Sequence, residues 1–119
     1  MTMEALGAQR VELAPAAALF RSLGDSARLA ILRRLATGPA RVTDLVQALG
    51  LAQSTVSKHL GCLRDCRLVE SSPVGRASVF RLAQPALVEL LAAAETVLDA
   101  TGNAVALCPN SGRSEDQRS

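Results

Sequence analysis

The sequence predicts a mainly α-helical domain with one small β-hairpin, and three observations carry that expectation. Apolar residues recur at helical spacing over most of residues 13–101, as with Leu29, Leu32 and Leu35. Glycine or proline breaks that rhythm at Gly24, Gly38-Pro39, Gly50 and Gly102, dividing it into helices of ordinary length. Only over residues 68–82 does the pattern change, to two short Val- and Ser-containing segments around a Gly-containing turn.

Each element can be justified in order. Residues 1–12 read as a flexible N-terminus. Residues 13–23 form a short apolar helix, with Pro15 tolerated in its first turn. Asp25 or Ser26 caps a second helix that runs to about Ala36. Thr43 starts a third, short helix whose apolar residues are Leu45, Val46 and Leu49. Gly50 stops it, Leu51-Ala52 completes a tight turn, and a fourth helix runs from Gln53 to about Cys66. Residues 68–72 and 77–82 are the hairpin strands, joined through Pro73-Val74-Gly75-Arg76. Pro85 opens a fifth helix to Thr101, where Gly102 stops it. Residues 102–119 are a tail: an apolar patch over 104–107, then Cys108-Pro109, then a polar end expected to be disordered. Helix, helix, short helix–turn–helix, hairpin, helix is the order of a winged helix–turn–helix, here occupying residues 13–101.

Composition narrows the function. At 119 residues the chain is one small domain, and a dimer interface would add to its modest core. Its 49% hydrophobic content includes only Phe20 and Phe80 as aromatics, so the core is aliphatic. No run approaches the ~18 apolar residues of a membrane span. No basic region precedes an apolar run at the N-terminus, and a cytoplasmic location is expected. Three cysteines, an odd number, argue against a secreted disulfide framework. One histidine, no phosphate loop and no recognisable nucleophile–base spacing argue against an enzyme, and no organic cofactor is expected.

Charge is small overall, +2, but segregated. Residues 53–82 hold five basic against two acidic side chains, and residues 83–119 hold two against five. The positive surplus coincides with the fourth helix and hairpin, as contact with nucleic-acid phosphates requires. A solvated mixed surface is the plainer reading of the same pattern.

The fourth helix carries the chemistry. Residues advance about 100° each around a helix, so Val56, Leu60 and Leu63 share a stripe that faces the core. Ser54, Ser57 and Lys58 fall on a broadly opposite polar face suited to phosphates and base edges, with Gln53 at the helix start. N-terminal capping is the competing role for Ser54. Arg76 at the hairpin tip and Arg81 on the return strand are candidates for flanking phosphate or the minor groove. Cys62 and Cys66 share a third face; their i, i+4 spacing brings two thiols together across one turn, where they can grip a soft cation. Inert burial is the alternative for both cysteines. His59 projects between the cysteine face and the core stripe, where a structural role outweighs ligation.

The helix of residues 85–101 is apolar nearly all round (Leu87, Val88, Leu90, Leu91, Ala94, Val97 and Leu98). Two apolar faces need two burial partners, so it is expected to build a homodimer, assisted by the helix of residues 13–23.

The stretches FRSLGDSARLAILRRL (20–35), VTDLVQALGLAQSTVSKHLGCLRDCRLV (42–69) and VGRASVFRL (74–82) resemble the ArsR/SmtB family of bacterial metal-responsive repressors. The resemblance covers about residues 15–101. It implies a homodimer that binds operator DNA without metal and releases it when metal binds. Family sites vary in position. RVTDLVQAL holds none of the cysteines that one type uses before the turn, and the last helix has Glu89, Glu95 and Asp99 but none of the histidines that another type uses. GCLRDCRLV is similar to the cadmium/lead-sensing subgroup. That resemblance implies Cys62, Cys66 and the tail's Cys108 as ligands of Cd(II) or Pb(II).

Several alternatives stay open at this point. Three thiolates also suit As(III). A disulfide from Cys62 or Cys66 to Cys108 would make a redox switch. A winged-helix protein-interaction module with inert cysteines is a reading from another class. The sequence leaves undecided whether Cys108 acts in cis or in trans, and whether His59 or a water completes the site.

Overall fold

The computed structural model describes the backbone of residues 3–102 and 104, and side chains within that span from Glu12 onward. The helices are α1 (Met3–Leu23), α2 (Ser26–Leu35), α3 (Val42–Leu49), α4 (Gln53–Asp65) and α5 (Ala86–Thr101). The strands are β1 (Ala40–Arg41), β2 (Val69–Val74) and β3 (Ala77–Leu82). This is the expected winged helix–turn–helix, mainly α with a small antiparallel sheet.

Three details differ from the sequence reading. First, α1 begins at Met3 rather than at residue 13, because Met, Glu, Ala, Leu, Gln and Arg before Leu13 are strong helix formers. Pro15 therefore stands inside the helix, where it cannot donate to the carbonyl four residues earlier. Second, the sheet has three strands in the order β1-β3-β2, with Ala40 opposite Phe80 and Arg41 opposite Val79. Two residues are too few to produce a strand signal. Third, Pro73 and Val74 belong to β2, pairing with Ser78 and Ala77, and the turn shrinks to Gly75-Arg76. Pro73 is accommodated because β2 is an edge strand. Gly75 has φ 64°, which a two-residue hairpin turn of this kind demands of its first position.

Local chemistry sets the helix ends. The Asp25 carboxylate accepts a hydrogen bond from the Arg28 N–H at 3.1 Å, capping α2. At α3, the Asp44 carboxylate accepts from the Arg41 N–H at 3.0 Å. That bond, with the Arg41 and Arg34 guanidiniums, holds Asp44 below its ordinary carboxylate pKa. Gly50 ends α3 with φ 67°, allowing the sharp turn into α4.

The core is aliphatic apart from Phe80. Ile31, Leu32 and Leu35 of α2 meet Leu45 of α3 and Val56, Leu60 and Leu63 of α4, with Val69 and Phe80 closing it from the sheet. Leu87 is the only buried residue of α5, and Val88 and Val97 are exposed. Leu13 and Phe20 of α1 are exposed as well. The Arg33–Glu95 ion pair, 3.3 Å, joins α2 to α5 at a solvated position, so it contributes little to stability.

The end of α4 is the strained point. Arg67 has φ 64°, the one described non-glycine residue with a positive φ. The Leu68 N–H donates to Leu63 O and the Arg67 N–H to Arg64 O, both at 2.9 Å, the bonding of a left-handed helix cap. A side chain in that conformation costs about 1–2 kcal/mol. Arg67→Gly should therefore raise stability by about 1 kcal/mol, net of glycine's greater unfolded-state freedom. Urea unfolding at unchanged m-value measures it; a lower midpoint would show that the arginine side chain more than offsets its backbone strain.

Candidate nucleic-acid face and thiol pair

The hydrophobic stripe of α4 determines where its other side chains point. Val56, Leu60 and Leu63 are at most 1% exposed, as their spacing predicts. Ser54, Ser57 and Lys58 are exposed away from that stripe and Gln53 is exposed at the helix start, and among the described residues none of them makes a side-chain hydrogen bond. The N-cap of α4 is Ala52, whose side chain cannot bond the first turn, so Ser54 is not the cap. The competing role for that hydroxyl is thereby removed, and the first-turn N–H groups remain open beside it.

The two wing arginines separate. Arg76 is exposed in the turn. Arg81 lies opposite Glu70 on the outer face of the sheet, half-buried, and donates to the Ser72 hydroxyl at 2.9 Å. At about 3.3 Å per strand residue it sits roughly 15 Å from the turn. Of the two, only Arg76 is unengaged at the tip.

Among the described residues Cys62 and Cys66 are free and exposed. Inert burial does not describe them. Cys66 is the C-cap of α4, and its N–H bonds to Cys62 O, so one turn of backbone links the pair. Cys66 also lines a crevice of about 220 Å³ with Pro15, Ala18, Leu19 and Ser22 of α1 and with Leu68. Cys108 lies outside the described residues. Among the described residues no three His, Cys, Asp or Glu side chains converge as a metal-binding group.

His59 is taken up structurally, as its position between core and cysteines suggests. It is 14% exposed in its side chain, and its Nδ1 accepts from Arg28 Nε at 3.3 Å. Its Nε2 lies 3.9 Å from the Asp25 carboxylate. Arg28 also donates to the Ser22 hydroxyl at 3.3 Å. The participation of Ser22, Asp25 and Arg28 had no sequence signal, since it arises only when α1 and α2 pack against α4.

Comparison with known proteins places this geometry. The profile of the family described as bacterial regulatory protein, arsR family, matches residues 25–71. The probable mercury resistance operon repressor of Streptomyces lividans is 33% identical over 91 residues, 76% of this chain and 71% of that protein. The chain belongs to the arsR family. The HTH-type transcriptional regulator NmtR of Mycobacterium tuberculosis is 40% identical over 78 residues, 66% of this chain. The match spans 65% of NmtR's own length, slightly under two thirds. Among solved structures, the homodimeric winged helix–turn–helix DNA-binding domain of Mycobacterium bovis Mb0332 superposes with a TM-score of 0.68. It is 30% identical, covering 76% of this chain and 84% of that one. In this arsR-family chain the profile's match takes in the whole helix–turn–helix and the cysteine pair but ends inside β2, short of the wing tip. No helix among the described residues is long and apolar enough to cross a membrane.

The exposure of the thiols has a direct chemical readout. In a Cys108→Ser background, a chromogenic disulfide reagent should titrate both Cys62 and Cys66 in the native, reduced protein. A thiol that reacts only after denaturant is added would contradict the surface position described here.

Proposed function

We propose that this protein is a cytoplasmic transcriptional repressor that binds operator DNA without metal and releases it when Cd(II) or Pb(II) binds its cysteines. The observation that carries this reading is the division of labour on α4. Exposed Cys62 and Cys66 occupy one face, while Ser54, Ser57 and Lys58 are presented on another, with Gln53 exposed at the helix start. An ion held at one face bears on the helix that reads DNA with the other.

Residues 13–101 would form the DNA-binding and dimerisation domain, preceded by the first part of α1 and followed by a tail over 102–119. Lys58 and Arg76 would contact phosphate, Gln53, Ser54 and Ser57 base edges or phosphate, and Arg81 a secondary position behind the wing. Two thiolates alone leave a soft ion open to competing thiols. Cys108, carried by the tail, would supply a third, from the partner subunit if the tails emerge at the dimer interface. The dimer would form through α1 and α5, where Leu13, Phe20, Val88 and Val97 stand 45–62% exposed. The homodimeric relative of known structure supports that assembly.

A second reading concerns the ion. Two exposed thiols on adjacent turns also suit Hg(II), which two thiolates satisfy, and one relative is named as a probable mercury resistance repressor. As(III) would need all three cysteines. A disulfide switch through Cys108 would need an oxidant and no metal.

One titration separates these readings. The reduced protein on DNA from its own promoter is titrated with Cd(II), Pb(II), Hg(II), As(III) and Zn(II), following DNA release and thiolate-to-metal ultraviolet absorption together. Release by Cd(II) or Pb(II) is expected. Cys62→Ser and Cys66→Ser should abolish it, and Cys108→Ser should bind DNA normally but respond poorly. Full response in the Cys108→Ser protein would remove the tail from the site and favour Hg(II)-type two-thiolate binding.

The DNA face is tested separately. Lys58→Ala should weaken operator binding and lower the slope of log affinity against log salt by about one. Arg76→Ala should weaken it less. Unchanged affinity in both variants would mean that the DNA face lies elsewhere.

A further inference from the structure

The packing of α4 has an unequal character. Val56, Leu60 and Leu63 hold it to the core through apolar contact, which fixes its buried side but, being non-directional, opposes small rotations about the helix axis only weakly. Among the described residues, the one side-chain hydrogen bond that reaches α4 from another element is Arg28 Nε to His59 Nδ1. Arg28 is itself fixed: its N–H is held by the Asp25 cap and its guanidinium by Ser22 of α1. A nitrogen that accepts from Arg28 leaves the imidazole proton on Nε2, on the side of the Asp25 carboxylate.

His59, Cys62 and Cys66 fall within about 60° of arc on α4, at i, i+3 and i+7. His59 therefore stands on the thiol stripe, between the thiol-bearing end of the helix and its DNA-facing start. Cys66, two turns further on, borders the crevice against α1, the helix that supplies Ser22 to Arg28. Thus α1 and the end of α4 border one crevice, and Arg28 of α2 bridges the two helices.

We propose that His59 is the positioning residue through which cation binding at Cys62 and Cys66 acts on DNA affinity. It fixes the fine rotation of α4, within the facing set by the buried stripe, in the DNA-competent state. A soft ion held by both sulfurs and by a ligand outside α4 would pull on the same stripe, and that pull would bear on the rotation of the helix. The directional contact that resists turning is the Arg28–His59 bond, so its loss is what reaches Ser54, Ser57 and Lys58. In this role His59 acts without ligating the cation, its Nδ1 being engaged by Arg28. This proposal rests on the metal-responsive reading above.

The test uses the full-length protein and its His59→Leu, His59→Asn and Arg28→Met variants, with Cd(II) as the probe and operator DNA as the readout. Leucine fills the volume without accepting a hydrogen bond. Asparagine places a carbonyl oxygen near the position of Nδ1 and keeps the acceptor. All variants should retain wild-type Cd(II)-thiolate absorption. In His59→Leu and Arg28→Met, metal-free DNA affinity should fall about two- to tenfold, the worth of one hydrogen bond. The ratio of metal-free to metal-loaded affinity, about 5- to 150-fold for a typical coupling, should fall by that same factor of about two to ten. His59→Asn should restore both. A loss of affinity that asparagine does not rescue, or that follows the melting temperature across the series, would identify His59 as a packing residue and overturn the proposal. So would a wild-type affinity ratio in His59→Leu. If the wild-type protein shows no response to Cd(II), the metal reading fails by itself. The metal-free arm then decides whether His59 positions the helix: unchanged metal-free affinity in His59→Leu overturns that role too.

Discussion

The burial of one apolar stripe on one short helix is the constraint on which the rest of the molecule depends. Val56, Leu60 and Leu63 of α4 are inserted among Ile31, Leu32, Leu35 and Leu45. Burying each such side chain is worth roughly 1.5–3 kcal/mol, far more than any single polar contact on the surface. That preference fixes which side of α4 is inside. Everything chemical about the helix follows from what remains outside: small hydroxyls and a cation on one arc, two thiols on the next.

A helix with three occupied faces has little freedom to tolerate change. The core arc demands aliphatic residues, the polar arc demands small or cationic ones, and the thiol arc admits His59 only because Arg28 satisfies it. Gly61 is an exception, since a side chain there would meet nothing within 4 Å and its absence is not forced by packing. The structure offers no account of that glycine.

Much of this was legible in the sequence because it rests on periodicity. The stripe Val56-Leu60-Leu63, the stop at Gly50 and the change of rhythm after Leu68 are local signals, and each corresponds to an observed element. What escaped was non-local or too short to have a period. The strand Ala40–Arg41 exists only because β3 lies beside it. The bridge from Arg28 to His59 joins residues 31 apart and depends on how α2 crosses α4. The extension of α1 to Met3 was hidden by Pro15, which marks a helix start more often than a helix interior. On the site, the spacing of Cys62 and Cys66 was readable, while their exposure required the packed structure. The engagement of Arg81 by Ser72 likewise appears only with the strand register.

The sheet has a bearing on assembly that its size conceals. Its order is β1-β3-β2, so its two open edges belong to β1 and β2. Exposed strand edges are templates on which further chains can grow. Here one edge is two residues long and gives way at once to α3, and the other is interrupted by Pro73, which has no N–H to offer a neighbour. Neither can seed an extended ladder. Neighbouring copies of this protein can therefore crowd together without their strands recruiting one another.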